Sequence, residues 1–194
     1  DTSQWSQLLL MAALVVVYMY NFSVLPLDKA PIARFYMENL FSFLNMGLAG
    51  FVIAAIAARF VFPTVSIEGE YFWLVRSSPL TAKRFFWSKF WAAFIPLAAL
   101  SQLLIIVSNR LLHATTFLKY LSSFTVLAMT FGIVALALGL GALYPKFRAE
   151  NVTKISTSYG GIVYMITSMG FIGAVVLLEA WPTYLLFAAN TAGE

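Results

Sequence analysis

The 194-residue chain has no cysteine, a single histidine (His113) and few charges. Without cysteine there is no disulfide and no thiolate metal site. One histidine supplies neither the paired imidazoles of a zinc protease nor a partner for a serine deep in the membrane. No Gly-Lys dipeptide occurs, so the phosphate-cradling loop G-x-x-x-x-G-K-[ST] is absent from these residues. Only 10% of residues are charged, against 61% apolar and a mean hydropathy of +0.86. Soluble domains are about 45–50% apolar and about 25% charged. So few charges leave too little polar surface to cover a water-soluble domain of this length.

What is present is a set of long apolar runs without strand-type alternation. A helix crossing the hydrocarbon core needs about 20 such residues, and a spanning segment must satisfy its own backbone hydrogen bonds. The expected fold class is therefore all-α, a polytopic transmembrane helical bundle with about five spans. They fall near residues 6–25, 40–62, 90–112, 121–143 and 157–179. Prolines mark the ends: Pro26, Pro63, Pro145 and Pro182, with Pro96 inside the third span. The chain begins at Asp1, and residues 183–192 open a further apolar run, so the sequence reads as an incomplete single domain, a piece of a longer protein.

Lys and Arg set the expected orientation. Eight of the twelve (Arg59, Arg76, Lys83, Arg84, Lys89, Lys146, Arg148, Lys154) lie in the connectors after the second and fourth spans. This bias puts the chain's start and the loops 63–89 and 144–155 on the cytoplasmic side of a multi-pass membrane protein. The net charge of +4 then reflects topology, and nucleic acid is not an expected partner. The lipid bilayer is.

The connector Ser66–Lys89, SIEGEYFWLVRSSPLTAKRFFWSK, is the most polar stretch. It holds two of the eight acids, Glu68 and Glu70. Ile67, Tyr71, Leu74, Val75 and Ser78 recur at helical spacing, which describes a short amphipathic helix at the bilayer interface. Ser77, Ser78 and Pro79 break it, and Ser78-Pro79 suits the start of a second helix. Aromatic residues and lysines anchor many such elbows and do nothing else. The acids are harder to explain, because an anionic leaflet repels them unless they face a basic protein surface or Arg76 and Arg84.

Ser66, Glu68, Gly69, Leu74, Ser77, Ser78, Pro79 and Lys89 together resemble the permease subunits of ABC exporters of the ABC-2 class. The run Gly141–Phe147, GALYPKF, with Glu150-Asn151, is similar to a large bacterial branch of those permeases. The resemblance implies a coupling helix that docks on a separate ABC ATPase subunit, with Glu68, Glu70, Leu74, Arg76, Ser77, Ser78 and Pro79 as the docking element. It further implies a second permease half or a homodimer. The chain would then be no enzyme and bind no cofactor, ATP being bound by the partner. A different class is also open: an ion-coupled carrier, or a structural membrane subunit without an ATPase. Against the carrier, the span interiors offer neutral polar groups and Glu179 falls at a span end, where it can reach the interface. Asn45 and Gln102 fit either a substrate path or hydrogen bonds between helices. The small-residue pairs Gly50/Ala54/Ala58, Ala135/Gly139 and Gly170/Ala174 fit close helix packing.

Overall fold

The computed structural model describes residues 13, 15–18, 20, 34–67, 69, 81–147 and 152–192. Among them every regular element is helical: α1 Arg34–Phe60, α2 Thr64–Ile67, α3 Ala82–Leu111, α4 Thr116–Leu143, α5 Val152–Ser156 and α6 Tyr159–Ala192. The fold is an all-α helical bundle. Among the described residues, four helical stretches are long and apolar enough to cross a membrane: Asn39–Ile67, Lys83–Leu111, Thr116–Leu143 and Tyr159–Leu185.

The helix ends show how local chemistry sets these lengths. α1 stops at Phe60 ahead of Pro63, and in the turn that leads to α2 the Thr64 hydroxyl donates to the Val61 carbonyl at 2.6 Å. α4 ends at Leu143, two residues before Pro145. Pro96 and Pro182 instead lie within continuous helices. The expected stop at Pro182 does not occur. A proline removes one intrahelical donor, and in an apolar helix neighbouring hydroxyls can satisfy carbonyls nearby. The carbonyl that loses its donor to Pro182 is that of Leu178; one position on, the Thr183 hydroxyl donates to the Glu179 carbonyl at 2.9 Å. α3 also starts earlier than the apolar run suggests, at Ala82, so Lys83, Arg84 and Lys89 occupy its first turns.

The turn between α3 and α4 is closed by backbone geometry. Ala114 N–H donates to the Asn109 carbonyl and His113 N–H to the Arg110 carbonyl, with His113 at φ 51°. This is the left-handed helix stop usually given to glycine. The lone histidine thus sits, exposed, at a C-terminal cap.

The chain divides into two compact units. One comprises Asp1–Val52, Ser101–Leu127 and Ile172–Glu194; the other comprises Ile53–Leu100 and Ala128–Phe171. The first has a strongly polar interior: Asn39, Ser42, Asn45, Ser101, Ser108, Asn109, Ser122, Thr125 and Thr183 are all buried. The second is built mainly on apolar and aromatic side chains, among them Ile53, Phe62, Phe90, Ile133 and Tyr164.

Candidate functional site

Seven residues expected to form the docking element, Glu68, Glu70, Leu74, Arg76, Ser77, Ser78 and Pro79, lie outside the described residues. So do Arg148, Glu150 and Asn151 of the second motif, and most of the first expected span. The described parts of the two motifs meet within the second unit. The Lys146 backbone N–H donates to the Ser66 hydroxyl at 3.1 Å, across 80 residues of sequence. A side chain at Gly69 would run into the Phe147 ring, with Cβ 1.8 Å from its Cδ1. At Gly141 the neighbour is backbone: a Cβ would lie 2.5 Å from the Phe62 carbonyl oxygen. Real Cβ atoms do not approach so closely, so Gly141 is required by the approach of α4 to the turn after α1.

α5 and the start of α6 complete this junction. The Ser156 hydroxyl donates to the Ala58 carbonyl at 3.0 Å, and the Tyr164 hydroxyl to the Ala54 carbonyl at 3.1 Å. Tyr164 also packs on Phe62, ring centroids 5.8 Å apart, and both are fully buried. Gly160 faces Tyr144, whose Cβ lies 2.5 Å from a would-be Gly160 Cβ. Ala54 and Ala58 are thus small so that two hydroxyls can reach the α1 backbone. Gly141 and Tyr144 of the GALYPKF run pack at this junction. It is a rigid platform at the ends of α1, α4 and α6, and the polar segment leaves it at Ile67.

The Ala135/Gly139 and Gly170 positions behave differently. A Cβ at Gly139 or Gly170 meets nothing within 4 Å, so these small residues leave open space and do not mediate contact.

In the first unit, Gln102 is clamped to α4. Its amide nitrogen donates to the Ser123 carbonyl at 3.0 Å, and the Ser123 hydroxyl donates back to its Oε1. This is a helix-to-helix bond, one of the two roles open to Gln102 from sequence. Asn45 is fully buried and accepts from the Tyr18 hydroxyl through Oδ1, while its Nδ2 has no partner. The Asn109 amide donates to the Ser122 hydroxyl at 2.7 Å, and Thr115 bonds Asn39. Thr125 donates to the Glu179 carboxylate. Glu179 is therefore not a free span-end residue. It sits mid-helix in α6, half-buried, with Oε2 buried and unpartnered. The apolar residues around Glu179 gave no hint of Thr125, because the partner is 54 positions away.

Fold and site define a helical bundle of membrane type, with a connector platform at the ends of its helices. A family profile matches residues 1–193, and the chain belongs to that family, whose description is "Putative ATP-binding cassette". No curated protein and no solved structure matches the chain. The match corrects two expectations. The assignment to a permease subunit, with ATP hydrolysed by a separate partner, does not hold, and neither does the exclusion of enzyme activity: the matched family is a cassette family, described by ATP binding. The permease assignment rested on two short stretches, 66–89 and 141–151, whereas the family match takes in nearly the whole chain. Membership of the ABC family stands; the ABC-2 permease branch does not follow from it.

Proposed function

We propose that the chain is a membrane-embedded member of the ATP-binding cassette family, acting in an ABC transport system, with ATP use assigned to this protein and not to a separate subunit. The observation that carries this reading is a coincidence of extent. The family match covers 1–193, and the same residues contain the four helices long and apolar enough to cross a bilayer. Residues 1–194 contain no G-x-x-x-x-G-K-[ST] loop, so any nucleotide they hold is not gripped by that loop.

Within this reading, the segment Glu68–Pro79 is where ATP-driven motion enters the helices. Its support is positional: the segment starts from the platform built by Phe62, Ser66, Gly141 and Tyr164. A rigid base of this kind passes on displacement, because packed helices shift as units. Asn45, whose Nδ2 has no partner, is the candidate for a substrate path, whereas Gln102, bonded to Ser123 at both ends of its amide, is assigned to helix-to-helix bonding. The other components of an ABC system are the partners, a second copy of the chain included.

The test is photo-crosslinking of the protein, purified from its native membrane, with an azido-ATP analogue, combined with ATPase measurement. The reading expects label on this polypeptide, competed by ATP, and hydrolysis that co-purifies with it. Label found only on another polypeptide would overturn it.

A further inference from the structure

The second unit carries an open groove of about 300 Å³ between the first turns of α3 and the last turns of α4. Phe86, Trp87 and Phe90 form one wall; Phe131, Ala135 and Gly139 form the other. Its size falls at the lower end of ligand-binding sites, about 300–1,000 Å³. The aromatic wall is pre-formed. Phe90 packs edge-on against Phe131 with centroids 4.8 Å apart and against Trp87 at 5.5 Å, and Trp87 stacks on Trp91 at 6.2 Å. The opposite wall is open because residue 139 is glycine and a Cβ there meets no atom.

The charges on the two helices that line this groove have one sign. Lys83 and Arg84 are exposed within a turn of Phe86 and Trp87, and Lys89 lies with its Nζ 5.3 Å from the Phe85 ring centroid. No acid occurs between Thr81 and Ala149, a stretch that contains the whole of α3 and α4. Both helices are long and apolar enough to span a bilayer. An apolar groove on such a helix meets acyl chains, and basic side chains one turn beyond it lie where headgroups begin. From Lys83 to Phe90 is seven residues, about 10.5 Å along the helix.

We propose that this groove binds one acyl chain of an anionic phospholipid, whose phosphate headgroup is held by Lys83 and Arg84. The proposal rests on the membrane-embedded reading above and names the lipid class that this face selects. Trp87 and Trp91 suit the same level, since indoles favour the bilayer interface.

Native mass spectrometry of the detergent-purified protein, titrated with phosphatidylglycerol and phosphatidylcholine of matched chains, tests it. The wild type should bind the anionic lipid more tightly, on the order of tenfold. Lys83→Gln with Arg84→Gln should bring the two lipids to equal affinity. At Gly139 an added Cβ meets no atom within 4 Å, so Gly139→Leu extends from the open wall into the groove and should weaken both lipids several-fold at an unchanged unfolding temperature. Equal affinity for the two lipids in the wild type would overturn the proposal. So would a Gly139→Leu protein that binds lipid as the wild type does. A Gly139→Leu variant that changes oligomeric state in light scattering, with lipid affinity intact, would assign the groove to a second copy and equally overturn it. None of these outcomes depends on where ATP is bound, so failure here is distinguishable from failure of the functional reading.

Discussion

The two units of this chain solve the packing of apolar helices in opposite ways. The second is held by aromatic and aliphatic contact around Phe62 and Tyr164, with glycines where backbones come close. The first is held by polar side chains bonded between helices: Gln102 to Ser123, Asn109 to Ser122, Thr115 to Asn39 and Thr125 to Glu179. Among the described residues, the buried side-chain atoms without partners, on Ser42, Asn45, Asn109 and Glu179, belong to that first unit. A core of fitted rings resists change. A core with unmet hydrogen-bonding capacity is less stable than it could be, which is the usual cost of groups kept for another purpose.

Substitutions can break or sharpen this contrast. The largest effect belongs to the aromatic unit: Phe62→Ala removes a fully buried ring and should cost about 3–5 kcal/mol, read from thermal unfolding in detergent. Next comes Gly141→Ala, whose added methyl group meets the Phe62 carbonyl. Overpacking against backbone should cost about 1–3 kcal/mol, and an unchanged unfolding temperature would show that α4 has room to move. The sign should reverse in the polar unit. Ser42→Ala deletes a buried hydroxyl that has no partner and should stabilise by about 1 kcal/mol, the reverse of the usual small loss. The smallest effect is expected for Gln102→Leu. It removes both bonds to Ser123 and should cost about 0.6 kcal/mol, the average for hydrogen bonds between membrane helices. A loss at Ser42→Ala as large as that at Phe62→Ala would erase the distinction between the units.

Much of the bundle was legible in the sequence, because an apolar run of membrane length is a continuous local signal. Pro63 and Pro145 also mark helix ends as local rules suggest. Pro182 does not: it lies within the continuous helix α6. Distant pairings leave no local trace. Nothing near Gln102 names Ser123, and nothing near Ser66 names Lys146. His113 reads as an idle polar residue, yet its left-handed backbone closes the α3–α4 turn. Ala135/Gly139 carries the pattern of a packing contact and forms a groove instead, because a pattern of small residues fixes what fits and not what is there. The ABC family was legible, but the permease branch was not: that finer assignment rested on two short motifs, whereas the family match extends over residues 1–193.

The claim beneath both the functional reading and the lipid groove is that these helices cross a membrane. The absence of cysteine from these 194 residues allows a direct measurement. Single cysteines are placed at Lys146, past the end of α4, and at His113, before its start, and each is labelled in sealed vesicles with a membrane-impermeant maleimide. The account predicts that the two positions react from opposite sides of the membrane. Labelling of both from the same side would contradict it.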